Sequence, residues 1–312
     1  MAAIILVHGI AQEQRTADAL EAEWLPALAG GVRLAGFPEL ADRLWRTGGM
    51  PGTIDARMAF YGHLFLKADQ QGSGMDEMDE AASTLAEPLA REWLARAARQ
   101  ASRDNERRTA AQELAYVERA VGAEEAGAGQ VARSAVRSLA RLRWFAPLGM
   151  AFAERFVVRA LAQVSRYFSD ETIRQAAVGA VAALVGPETR IVIGHSLGSV
   201  VAYEAVQQLT RSLPLLCTLG SPLGLDTIVY PRLRPQPPGF PPRLRRWVNL
   251  ADRDDLVAAE PDLRPLFSGG LPVGAVFEGD HTVDNGAQPH RPDFYLGKVE
   301  LGRAVAGALA DV

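Results

Sequence analysis

Short apolar runs and helically spaced apolar positions alternate along most of this chain. Residues 4–7, Ile4-Ile5-Leu6-Val7, form a β-branched-rich run closed by Gly9, the pattern of a strand buried on both faces of a parallel sheet. Leu20, Trp24 and Leu28 then recur at helical spacing, which predicts a helix ended by Gly30-Gly31. An apolar run over 56–61 completes a β-α-β opening. The same texture returns late in the chain, with a helix over 170–185, a strand over 191–193 and a helix over 197–211. Three more strands follow over 215–219, 247–250 and 275–277, and a helix over 294–310 closes the chain. Alternating strands and helices predict an α/β fold, a mostly parallel sheet covered by helices on both faces.

Between these two stretches the texture changes. From Gly72-Ser73-Gly74 to about Val164 the chain is rich in Ala, Arg and Glu, with Leu85, Leu89 and Trp93 as one helical stripe and Leu114, Val117 and Val121 as another. Residues 122–129 (GAEEAGAG) predict a break between helices, and Pro147 a further boundary. The domain reading is a core of residues 1–73 and 165–312 carrying a helical insertion over 74–164. Near the end of the insertion Leu148, Phe152 and Phe156 form an apolar stripe, and Arg133, Arg137 and Arg141 a basic one expected to be a solvated face. Residues 235–242 (PQPPGFPP) predict a stiff surface loop.

Composition narrows the classes. In 312 residues, 48% hydrophobic and 22% charged content excludes a disordered or fibrous chain. The 33 Lys and Arg against 37 Asp and Glu give a formal net charge of −4, so no basic surface favours nucleic acid as a partner. Cys217 is the only cysteine, which rules out an intrachain disulfide and a Cys-rich metal site, and suits a reducing, cytoplasmic setting. The apolar start lacks the basic flank of a signal peptide and reads as a strand. The best membrane-span candidate, 144–164, is broken by Glu154, Arg155 and Arg159, so no transmembrane segment is expected.

The sharpest chemical signal is Gly194-His195-Ser196-Leu197-Gly198, a G-x-S-x-G between a predicted strand and a predicted helix. Such a turn strains the serine backbone and crowds its neighbours, so glycine is needed two residues away on either side. Ser196 is the candidate nucleophile. A serine hydroxyl needs a base, normally histidine, oriented by a carboxylate. Of the five histidines, His8 lies in the first loop, His63 precedes the insertion, and His195 sits in the turn with its side chain directed away from that of Ser196. His290, before the closing helix, is the preferred base, and His281, closer behind the last strand, the alternative. For the acid, the strand over 247–250 leads into Ala251-Asp252-Arg253-Asp254-Asp255-Leu256-Val257. Asp255 is the first choice, Asp252 the second, and Asp254 also competes. Donors for an oxyanion would be the amides of Ile10, in the loop His8-Gly9-Ile10-Ala11, and of Leu197, with Gly9 allowing close approach.

Together, Val7-His8-Gly9-Ile10, the G-x-S-x-G, the 252–257 loop and His290 resemble the α/β-hydrolase family, in the family's order of nucleophile, acid, histidine. The stretches 193–203 (IGHSLGSVVAY) and 247–257 (WVNLADRDDLV) look like bacterial lipase-like serine hydrolases, including those akin to GPI-inositol deacylases. The resemblance covers about two thirds of the chain and excludes the insertion, which sits where this fold commonly carries a lid. It implies hydrolysis of a carboxylic ester or thioester through an acyl-enzyme, on a small-molecule or lipid-like acyl substrate, without metal or cofactor. One departure is that the chain starts at the strand bearing His8-Gly9, so the family's first two strands lack counterparts and a sheet of about six strands is expected. The same acyl-enzyme would serve an acyltransferase or cyclase, and a non-catalytic binding protein of this fold is the other class. The intact set of chemical groups argues for catalysis.

Overall fold

The six apolar runs of the sequence become one sheet. In the computed structural model, which describes residues 2–46, 50–66, 80–101, 103–122, 138, 150–258 and 260–310, β1 (Ile4–Val7) is buried along its whole length. The short β2 (Trp45–Arg46) and β3 (Met50–Pro51) pair only with each other, antiparallel. The main sheet adds β4 (Ala56–Ala59), β5 (Ile191–His195), β6 (Leu213–Leu219), β7 (Leu244–Asp252) and β8 (Val276–Val283). Its order is β4-β1-β5-β6-β7-β8 and every pairing is parallel, an open α/β sheet. All six carboxyl ends therefore share one edge, where an open α/β sheet offers its crevice.

The chain divides into two compact units, one of Met1–His63 with Gln175–Val312, the other of Leu64–Arg174. In the first, α1 (Ala17–Leu34) and the C-terminal helices cover one face of the sheet, over Ile4, Leu6, Ile193, Cys217 and Leu250. Side chains alternate along a strand, so Ile5, Val7, Val192 and Leu216 are buried toward the opposite face. Trp247 lies on that face too, where Tyr203 packs on it from the helix that follows β5. The second unit is helical, with α3 (Glu80–Gln100), α4 (Asp104–Gly122) and α5 (Met150–Ser169) following α2 (Pro38–Leu44) in the chain. The Leu85, Leu89 and Trp93 stripe is buried there, with Val117, Leu161 and Val164. Arg133, Arg137, Arg141, Pro147, Leu148 and residues 123–129 lie outside the described residues, as do the side chains of Val121, Phe152 and Phe156. Among the described residues no helix is long and apolar enough to cross a membrane.

Several boundaries differ from the sequence expectation, each for a physical reason. Helix α1 runs through Gly30-Gly31 and stops at Gly36, whose left-handed φ of 96° lets its amide and that of Phe37 reach the Arg33 and Val32 carbonyls. Gly31 is instead a contact point, because a Cβ there would lie 2.5 Å from the Leu296 carbonyl oxygen. The closing helix is correspondingly two pieces. After α6 (Glu171–Ala182), α7 (Leu197–Gln207) and α8 (Arg264–Phe267), the chain forms α9 (Pro292–Leu296), then turns at Gly297-Lys298 into α10 (Val299–Leu309). Gly302 of α10 meets Gly31 with equal closeness, its absent Cβ falling 2.2 Å from the Gly31 carbonyl oxygen. The proline loop is docked on the core, since Phe240 is buried against Trp247 and the Gly239 carbonyl accepts from Tyr203 Oη at 2.9 Å.

The helix-crossing glycines give a paired test. Gly302→Ala is expected to destabilise the fold by about 1–3 kcal/mol, because its methyl meets backbone that cannot swing away. Gly30→Ala, with open space around its Cβ, is expected to stabilise by about 0.5–1 kcal/mol through helix propensity. Urea unfolding of both variants checks the pair; similar effects in both would remove the close crossing.

Candidate active site

Ser196 is placed by the join between β5 and α7. β5 ends at His195 and α7 begins at Leu197, so a single residue turns the chain, and Ser196 does it at φ 56°, ψ −131°. A non-glycine residue held in such a region costs about 1–3 kcal/mol and persists only where its surroundings fix it. Here the Ser196 amide donates to the Leu219 carbonyl at 3.0 Å, and the Ser196 carbonyl accepts from the Ser199 hydroxyl at 2.6 Å. The Ser196 hydroxyl makes no capping bond to α7.

Three glycines leave room for this turn. A Cβ on Gly194 would fall 2.5 Å from the Gly198 carbonyl oxygen, and one on Gly198 2.3 Å from the Val7 and His8 carbonyl oxygens. A Cβ on Gly9 would fall 2.7 Å from Ser196 Cβ and 3.3 Å from its Oγ. The first loop therefore lies directly against the serine. Ile10 follows in that loop, its carbonyl held by Gln12 Nε2 at 3.2 Å, and Ala11 turns the chain at φ 60°. Leu197 is the first residue of α7, a position whose amide has no acceptor inside the helix.

His8 fixes the loop without adding charge. Its Nε2 accepts from the Tyr61 amide at 3.1 Å, so Nδ1 carries the proton and donates to the Gly9 carbonyl at 2.7 Å. The Tyr61 ring stacks on it at 4.2 Å, and the Tyr61 hydroxyl donates to the His8 carbonyl at 2.5 Å. Burial lowers the His8 imidazole to about 4, which keeps it neutral.

At the same sheet edge His290 and Asp255 meet. His290 Nδ1 lies 2.8 Å from Asp255 Oδ2; Nδ1 donates, which leaves the lone pair of the neutral ring on Nε2. Asp255 is only 3% exposed, and its carboxylate is surrounded by donors. Oδ2 also accepts from the Tyr295 hydroxyl at 2.7 Å, while Oδ1 accepts from the Val257 amide at 3.0 Å. Gly220, at φ 52°, lies beneath the pair, where a Cβ would fall 2.7 Å from Asp255 Oδ2 and 3.2 Å from His290 Nδ1.

The competing residues have other partners. Asp252 caps its own turn through the Asp254 amide at 2.8 Å and accepts from the Asn285 amide, and Asn285 in turn donates to the Pro289 carbonyl at 2.8 Å. It thus braces the loop that carries His290, and burial pushes its carboxyl up to about 6. Asp254 takes part in this turn through its amide, and its charge adds to the upward push on Asp252. His281 lies inside β8, opposite Leu250, with Nε2 3.0 Å from Glu278 Oε2, and Arg246 grips the same carboxylate in a two-pronged pair. The sequence expectation that His281 follows the strand is corrected by the length of β8. Tyr295, Gly220, Asn285 and Tyr61 went unread in the sequence; the Gly-Ser-Pro after the β6 run was the one local signal for a special turn there. Cys217 is fully buried in the core, where burial raises its thiol. No protein-family model, curated protein or solved structure matches the chain.

Two measurements test this geometry. Gly220→Ala is expected to cost about 2–4 kcal/mol in urea unfolding, from left-handed backbone plus displacement of the Asp255–His290 pair. Gly286→Ala, also left-handed at φ 65° but in open space, should lose only the backbone part, about 1–2 kcal/mol; equal losses would mean that Gly220 does not underlie the pair. For His8, the folded ring sheds its proton down to about pH 4 and the unfolded ring titrates near 6.5, so the unfolded state binds the extra proton between them. Stability from this group therefore rises with pH across that window. His8→Asn keeps a donor for the Gly9 carbonyl but does not titrate. The stability difference in favour of wild type should be full above about pH 6.5 and shrink toward about pH 4. A difference independent of pH would mean that His8 is not held neutral.

Proposed function

We propose that this chain is a serine hydrolase of the α/β-hydrolase type, cleaving a carboxylic ester or thioester through an acyl-enzyme on Ser196. The observation that carries the reading is a conjunction at one edge of a parallel sheet. A serine on a one-residue turn at φ 56° and a histidine 2.8 Å from a buried aspartate stand at the ends of β5, β6 and β7. The order β4-β1-β5-β6-β7-β8 also supports it, being what that family's sheet would give without its first two strands.

The chemistry then runs as follows. Ser196 Oγ attacks the acyl carbon while His290 Nε2 takes the hydroxyl proton, and Asp255 stabilises the imidazolium through Nδ1–H. The carbonyl oxygen becomes an oxyanion held by the Ile10 and Leu197 amides; losing one such donor costs about 3–4 kcal/mol. The C–O or C–S bond breaks as His290 returns the proton to the leaving group. Water, deprotonated by His290, then releases the acid and restores Ser196.

Exposure to a fluorophosphonate followed by intact-mass spectrometry tests the nucleophile. Wild type is expected to gain one adduct per chain and Ser196→Ala none, with the melting temperature retained. On an ester and thioester panel, His290→Ala and Asp255→Asn should lower kcat by about 10³-fold or more, with His281→Ala close to wild type. Folded wild type that is inert to the reagent, or full turnover by Ser196→Ala, overturns the proposal.

A further inference from the structure

We propose that His195 is a positioning residue, and that it ties the base His290 to the turn bearing Ser196. This rests on the reading of Ser196 as nucleophile and His290 as base. His195 is the last residue of β5 and precedes Ser196 directly, so its backbone is part of the strained turn. Its side chain points the other way, into the fold. There Nε2 lies 2.8 Å from the main-chain carbonyl oxygen of His290. A carbonyl only accepts, so Nε2 carries a proton and donates it.

The groups facing this pair come from three further elements. Trp24 of α1 meets the His195 ring edge-on at 6.1 Å, Tyr295 of α9 lies 6.0 Å away, and the His290 ring is at 4.6 Å. Asp255, from the turn after β7, takes His290 Nδ1. The loop that carries His290 is thus held at Asn285 by Asp252, at the His290 ring by Asp255 and at the His290 carbonyl by His195. Of these three, His195 is the residue covalently joined to Ser196. Burial and the neighbouring His290 ring hold the His195 imidazole well below its ordinary range. It donates its bond without placing a second cation beside a ring that must itself become positive.

A purely space-filling His195 beside Trp24 would tolerate any ring of similar size. His195→Phe keeps the ring and removes the donor; His195→Gln restores an N–H donor near the Nε2 position. The tie implies that Phe lowers kcat by about tenfold to hundredfold with KM unchanged, as displacement of a reacting group by an ångström does, and that Gln recovers most of the loss. Hydrogen exchange over residues 284–296 reads the same bond without turnover, with protection lost in Phe and kept in Gln. Wild-type kcat and protection in Phe, or a Gln variant as impaired as Phe, overturns the tie. Failure of wild type to label at Ser196 sinks the hydrolase reading instead, and the exchange experiment then decides by itself whether His195 holds the loop.

Discussion

The end of β1 and the first turn of α7 approach so closely that only glycine fits between them, and the position of Ser196 follows from that contact. Any side chain on Gly198 would drive into the Val7 and His8 carbonyls, and any on Gly9 into Ser196 itself. With those Cβ atoms absent, α7 starts one residue after β5, and the intervening residue has no choice but a left-handed backbone. The strain is not relieved by a glycine at 196, as an unconstrained turn would favour. It is held by the Leu219 carbonyl from the adjacent strand and by Ser199 from the first turn of the helix. A serine backbone held at such angles costs free energy that these contacts must offset.

Charge is handled at this edge by counting donors. Asp252 and Asp255 stand three residues apart, both buried, yet their surroundings differ. Asp255 collects an imidazole, a phenol and backbone amides, so both its oxygens are satisfied although water is excluded. Asp252 has backbone amides alone, and its carboxyl is displaced toward neutral pH. Tyr295 connects them, donating to Asp255 while accepting from the Asp252 amide at 2.9 Å. One phenol therefore fixes the spacing of the two turns on which the His290 loop rests.

The strands and the serine turn were legible because local rules govern them. A strand buried on both faces must be apolar throughout, and a one-residue strand-to-helix turn must be flanked by small residues. What the sequence left open depended on distant contacts. Asp252, Asp254 and Asp255 look alike before Leu256-Val257, and what separates them is Asn285, His290 and Tyr295, brought in from the far end of the chain. The reach of β8 was missed because Glu278, Asp280 and His281 are polar. An edge strand needs no apolar run, so the pattern ended early at 277. Gly30-Gly31 was read as a stop because glycine has two uses, and only the crossing with Leu296 and Gly302 shows which one applies.

The two buried histidines beside the site, His8 and His195, work in the same way. Each is neutral, each has its tautomer set by a backbone carbonyl, and each fixes a loop at the carboxyl edge of the sheet. A lysine or arginine would bring the same donors with a permanent charge, which burial makes costly. A serine or asparagine would lack the ring that packs on Tyr61 in one case and beside Trp24 in the other. A neutral imidazole combines a compact flat ring with a directed N–H that carries no charge when buried. Two neutral brackets thus stand at this edge, one holding the first loop and one holding the His290 loop. Neither adds charge of its own there.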